Sequence, residues 1–212
     1  MRSALLLLPA LVLVAFSTPA SAEDPGDPPP ARPAPRGWTL EAGVLTQRIH
    51  DDGAAVLGGS RIPAAELRLR RDLLDAGRLR IGPEASYALA RPTRDLGGAT
   101  SELWLSRLSA GVRVSAASAR PAFRGYARGG AMALHGTALF HDPHRDHRDE
   151  GFGAGLYGAA GVELDAGLLT PRSRLVFAAE GGYAGSTGLD FPRLGTLAVE
   201  GVFWSASAAV RF

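Results

Sequence analysis

From Trp38 to the last residue, polar and apolar side chains alternate along the chain. A period of two marks a strand with one polar and one apolar face. Eight such runs can be traced, at residues 38–49, 60–71, 78–90, 101–115, 121–134, 152–165, 173–184 and 197–212. In "RLRIGPEASYALA", Leu79, Ile81, Ala85, Tyr87 and Leu89 share one face, while Arg78, Arg80, Glu84 and Ser86 share the other. The first run sets Trp38, Leu40, Ala42 and Val44 against Thr39, Glu41, Gly43 and Gln47. The last sets Val202, Trp204, Ala206, Ala208, Val210 and Phe212 against Ser205, Ser207 and Arg211. One stretch, "AAELRLRRDLLDAG", also admits a helical reading.

What the two faces contain separates a soluble sandwich from a membrane barrel. The polar face carries charges of both signs: Glu41, Glu66, Arg68, Arg70, Arg78, Arg80, Glu84, Arg107, Arg113, Arg124, Arg128, Glu163, Asp165, Glu180 and Arg211. The apolar face is rich in Ala and Gly, with Trp38, Tyr87, Trp104, Phe123, Phe152, Tyr183 and Phe212 near the run ends. Small side chains bury little area and make a poor sandwich core. They suit a lipid-facing band between aromatic girdles, wrapped around a polar interior. The connections support this. Short links ("DLLDAG", "AASAR", "AGLLTPR") alternate with longer ones, among them "HGTALFHDPHRDHRDEG" and "AGSTGLDFPRLGT". The pattern predicts an all-β chain: an eight-stranded antiparallel transmembrane β-barrel over residues 38–212, with both termini on the periplasmic side. A barrel of that size is filled by its own side chains, so roughly ten arginines and six carboxylates should form a plugged, ion-paired lumen. The cluster of Glu66, Arg68, Arg70, Arg78 and Arg80 admits an anion site; a structural interior network is the simpler reading.

The first residues give the address. Arg2, the apolar run Ala4 to Phe16 and the small-residue "ASA" at 20–22 read as a signal peptide over residues 1–22. Residues 23–37, "EDPGDPPPARPAPRG", read as a proline-rich, extended periplasmic tether. The expected location is the cell outer membrane. With 23 basic and 21 acidic residues the net charge is +2, which gives no pull toward nucleic acid. The chain has no cysteine, which excludes disulfides, thiol catalysis and a lipidated N-terminal Cys.

This combination resembles the small outer-membrane β-barrel families of Gram-negative bacteria, the OmpA/OmpX-type barrels. The carriers are the signal peptide, the eight amphipathic runs and the terminal "WSASAAVRF". The resemblance implies that a C-terminal strand ending in Phe212, with Val210, Ala208, Ala206 and Trp204 at alternate positions, is read by the barrel assembly machinery. It also implies contact with outer-membrane lipid and lipopolysaccharide, a monomer, and no cofactor. The expected role is structural or surface-interacting, through the extracellular loops. The alternatives are a lipid-modifying enzyme at the barrel rim and a narrow solute channel.

Two constellations carry candidate chemistry. In "HDPHRDHRDE", His141, His144 and His147 recur every third residue among Asp142, Asp146, Asp149 and Glu150. Imidazole and carboxylate suit transition metals, and three histidines make a pH-sensitive loop; a plain solvated loop is the competing reading. The second constellation is "HGT". Outer-membrane lipid A deacylases use a His and a Ser two residues apart, plus an acid, at the outer rim. That resemblance casts His135 as base, Thr137 as nucleophile and Glu150 or Asp149 as orienting acid. The departure is that Thr stands where those enzymes have Ser.

Overall fold

The computed structural model describes residues 37–49, 60–97, 99–118, 122–142 and 145–212. The expected signal peptide, almost all of the tether and His144 lie outside the described residues. Eight long strands form a closed antiparallel ring. They are β1 (Trp38–Arg48), β2 (Arg61–Arg71), β4 (Leu79–Ala90), β6 (Thr100–Ala117), β7 (Phe123–Asp142), β8 (Arg145–Thr170), β9 (Ser173–Ser186) and β12 (Gly201–Arg211). Each pairs with the next, and β12 returns to β1 through the register Thr39↔Arg211 to Gln47↔Phe203. Closure leaves no free edge, which a bilayer demands because it offers no water to unpaired backbone groups. The stretch that admitted a helix is strand β2 followed by a turn, with β3 (Leu74–Asp75) paired to β4. In a ring, every neighbour supplies ladder partners, and this outweighs local helix propensity.

Burial follows the predicted alternation. Along β1 the pattern of exposed and buried positions puts Trp38, Leu40, Ala42 and Val44 outside and Thr39, Glu41 and Gln47 inside. Large apolar side chains cover the outside: Val44 is 66% exposed, Leu108 60%, Leu156 70% and Trp204 66%. A continuous apolar belt of this kind has no place in water and marks a lipid-facing surface. At the turn end, Phe212 and Trp38 are neighbours, the Phe212 amide donating to the Trp38 carbonyl at 2.9 Å.

The connections differ from expectation at the loop end. Within "HGTALFHDPHRDHRDEG", residues 135–142 and 145–151 are paired strand rather than loop. The β7–β8 ladder runs on to Asp142↔Arg145, carrying the hairpin far beyond the belt. Antiparallel pairing satisfies these backbone groups without help from other elements, so the ladder continues where the hydrophobic pattern stops. The final connection holds a second small hairpin, β10 (Leu189–Phe191) with β11 (Gly195–Leu197), attached to β8 through Asp190↔Phe152. Gly188 (φ 91°) stands just before β10, and Gly201 (φ 147°) opens β12. Both hold positive φ values that an L side chain resists. A further short strand, β5 (Thr93–Asp95), pairs with β6.

Candidate functional site

The lumen has two layers, and only one was expected. In the half nearer the termini, six arginines (Arg68, Arg70, Arg107, Arg113, Arg128, Arg211) and five glutamates (Glu41, Glu66, Glu84, Glu163, Glu180) are buried. This is fewer than the alternation suggested. Arg78 is exposed, Arg80 pairs with Asp75 at 2.8 Å in a turn, and Asp165 pairs with Arg174 at 2.8 Å at the rim. The strand ends flare into water there, so parity no longer means burial. Glu180 is the hub. It accepts from Arg68 Nη2 (2.8 Å), Arg128 Nε (2.8 Å) and Nη2 (2.5 Å), Tyr126 Oη (2.9 Å) and Ser205 Oγ (2.9 Å). Arg68 also reaches Glu41 (2.7 Å) and Glu66 (2.8 Å), and Arg128 reaches Glu84 (2.9 Å). Buried charges persist only when paired this densely.

Sequence reasoning missed the lumen tyrosines. Tyr126 bonds Glu180, and its ring lies 3.3 Å from the Arg113 guanidinium carbon; Tyr157 Oη donates to Glu84 at 3.2 Å. Strand glycines make room for both rings. A Cβ on Gly111 would stand 2.6 Å from Tyr157 Oη, and one on Gly161 would stand 2.7 Å from Tyr126 Cζ. The signal was present in the inward parity of a tyrosine flanked by glycines, as in "GLYGAAG".

Above the charges the lumen is apolar. Leu45, Ile49, Ile62, Leu103, Leu105, Met132, Leu134 and Phe203 form one cluster with Leu189, Phe191, Leu197 and Val199 of the β10–β11 region. That hairpin therefore caps the barrel mouth. Phe191 packs where Gly136 and Gly151 have no side chain; a Cβ on either would stand 3.0 Å from its ring. Asp149 Oδ2 holds the hairpin tip, accepting from the backbone amides of Arg193 (2.9 Å) and Leu194 (3.2 Å). Inside, a cavity of about 20 Å³ lies between Leu45, Gln47, Arg107 and Leu134, room for about one water.

The outer surface holds the predicted catalytic candidates. His135 and Thr137 share the outward face of β7, and Thr137 stands directly opposite Glu150 on β8. They line or border a crevice of about 390 Å³ with Tyr87, Leu89, Trp104, Ser106, Leu139 and Arg148. The three are near one another but not joined. Glu150 is held by Arg148 (Nε 3.0 Å, Nη2 2.5 Å), the His135 ring packs on Phe152 at 4.7 Å, and Asp149 is committed to the capping hairpin. Arg91 lies over the Trp104 ring at 4.4 Å and bonds Glu102 through Nε (2.5 Å) and Nη2 (3.1 Å). That hydrogen bond holds the Glu102 carboxyl below its usual range. As for the metal candidates, His141 Nδ1 pairs with Asp146 Oδ1 at 2.9 Å on one face of the β7–β8 ladder. His147 pairs with Phe140 on the opposite face. Pairing into a hairpin separates side chains that a single extended segment would align. No group of three possible metal-ligating side chains occurs among the described residues.

No protein-family model matches the chain, and a search of curated proteins finds no match. Among solved structures, Ail, the attachment invasion locus protein of Yersinia pestis, is similar at TM-score 0.52 and 18% identity, covering 83% of this chain and 98% of that one. A second Ail structure, in complex with the heparin analogue sucrose octasulfate, gives TM-score 0.54 at 18% identity, covering 84% and 99%. Neisserial surface protein A gives 0.47 at 14% identity, covering 82% and 95%. The chain has the fold of the small outer-membrane β-barrels of Gram-negative bacteria, and its apolar belt sets that fold across a bilayer.

Proposed function

We propose that the protein is a non-conducting outer-membrane barrel that acts at the cell surface through its folded extracellular crown. One observation carries this: the lumen is filled by ion pairs below and by a hydrophobic cap above, while the β7–β8 ladder extends beyond the belt with the β10–β11 hairpin paired to it. A sealed barrel transports nothing, and a crown tied together at Asp149 is suited to contact. The similarity to Ail, the attachment invasion locus protein, accords with this reading. Planar-bilayer recording should show no discrete conductance steps from the purified protein; steps lost on Arg128 substitution would overturn the sealed lumen. Cells bearing a crown trimmed of residues 189–197 should attach less well to surfaces than cells bearing the whole protein, and equal attachment would remove the surface role.

A second reading has its own observation, the crevice that gathers His135, Thr137 and Arg148 at the lipid interface beside Glu150. Here the protein would modify a lipid ester, with His135 activating the Thr137 hydroxyl after Glu150 leaves Arg148. Lipid A mass spectra from cells with the wild-type protein and with His135→Ala decide it. A mass difference between them supports the enzyme, and identical spectra remove it.

A further inference from the structure

Charge is unevenly divided along the lumen. Around Glu180, the arginines Arg68, Arg107 and Arg128 meet four carboxylates, Glu41, Glu66, Glu84 and Glu180. At the periplasmic end the balance reverses. Arg70, Arg113 and Arg211 all reach one carboxylate, Glu163: Arg70 by a close ion pair, Arg113 at 2.5 Å and Arg211 at 3.5 Å. Arg113 has a distant second acid in Glu41, at 3.9 Å. Glu163 therefore has two oxygens for three buried guanidinium groups, whose side chains are 4%, 4% and 10% exposed.

Strand register gathers these groups further. Thr39 on β1 stands opposite Arg70 on β2 and opposite Arg211 on β12, so Arg70, Thr39 and Arg211 form one rung across three strands. Several buried polar atoms of this set donate no hydrogen bond to the protein: Arg70 Nε and Nη2, Arg113 Nε, Arg211 Nε and Thr39 Oγ1, while Arg113 Nη1 has only the 3.9 Å contact with Glu41. These are N–H and O–H donors clustered where three guanidinium groups share Glu163; Asp72, which also acts on Arg70 and Arg211, pairs with Arg80 at 3.8 Å. Guanidinium forks with free N–H pairs match the oxygens of a tetrahedral or carboxylate anion and gain from charge-assisted bonds. A neutral molecule or water can fill the donors but leaves the charge uncompensated.

We propose that the periplasmic end of the lumen is a binding site for a small free oxyanion of the inorganic phosphate class. Arg70, Arg113 and Arg211 supply the charge and Thr39 a hydroxyl. Glu163 limits the affinity because it competes for the same guanidinium groups. The anion enters from the periplasmic rim, where the Arg211 side chain retains 10% exposure. The site is independent of the extracellular crown.

The test is calorimetric titration of inorganic phosphate into the whole mature protein, refolded in lipid-free zwitterionic micelles at constant ionic strength. The wild type should bind saturably. Arg211→Gln should weaken binding at least tenfold and Thr39→Val about threefold, since one loses a charge and the other a hydroxyl. Glu163→Gln should tighten it at least threefold, a direction that a purely structural role for this cluster does not predict. Thr39→Val keeps the shape of the strand and remains readable if an arginine variant fails to fold. Absence of saturable binding by the wild type overturns the proposal, as does equal binding by Arg211→Gln and Thr39→Val. Binding that occurs only when phosphatidylglycerol is added to the micelle also overturns it, because the ligand would then be a lipid headgroup.

Discussion

Glu180→Gln is the sharpest test of the ion-paired lumen. The substitution keeps the side chain's shape and removes its charge. Glu180 accepts from two arginines, a tyrosine and a serine, and its side chain is fully buried. Its amide replacement would turn an N–H group toward guanidinium donors. Removing one partner of a buried ion pair costs about 3–5 kcal/mol. Arg68 keeps Glu41 and Glu66, and Arg128 keeps Glu84, so the lower end applies, about 3 kcal/mol. With a urea slope of ~2 kcal/mol/M, the unfolding midpoint should fall by about 1.5 M. The assay is urea unfolding of the refolded barrel in micelles, read by the heat-sensitive gel shift of folded barrels. Combined with Arg128→Met, Glu180→Gln should cost less than the two variants added together, because each alone breaks the same Glu180–Arg128 pair. The double variant should lie at least ~1 kcal/mol above the sum of the singles. A loss below ~1 kcal/mol for Glu180→Gln, or strict additivity, would refute the claim that the lumen is held by coupled ion pairs.

Other expectations follow from the same structure. Phe191→Ala should free the cap from Gly136 and Gly151, so limited proteolysis should cut within residues 187–200 while the barrel keeps its gel shift. Gly161→Val should prevent refolding, since even a Cβ there meets the Tyr126 ring, and the unfolded gel band should persist. The Glu102 carboxyl is held low by Arg91, so the pair's contribution is present above the ordinary carboxyl pKa and is lost as pH falls through the lowered one. In a Trp38→Phe, Trp204→Phe background, Trp104 fluorescence should change only in that acidic window. Arg91→Ala should abolish the change.

The barrel was legible because its strands state both environments. A chain that puts Arg or Glu at every second position of "ELRLRR" and Leu between them can satisfy both only with lipid outside and partners inside. The crown was less legible. Residues such as Leu45 beside Val44, or Phe203 beside Trp204, are apolar on both faces, and alternation alone does not say which one plugs the lumen. The β7–β8 extension was hidden for a different reason. Its residues are polar and mixed, and it persists through backbone pairing that leaves no hydrophobic signature. The candidate site was half visible. Spacing alone put His135 and Thr137 on one face, but the register that sets Thr137 against Glu150, and the Arg148 contact that occupies Glu150, belong to tertiary pairing.

The central claim is a closed barrel with lipid outside and a filled lumen inside. The chain has no cysteine, so nitroxide labels can be placed one at a time along β12, from residue 202 to residue 210. In bilayers, labels at 202, 204, 206, 208 and 210 should be accessible to oxygen, which partitions into lipid, and not to a water-soluble nickel reagent. Labels at 203, 205, 207 and 209 should be accessible to neither. Loss of this alternation, or nickel access at 203, 205 and 207, would contradict the account.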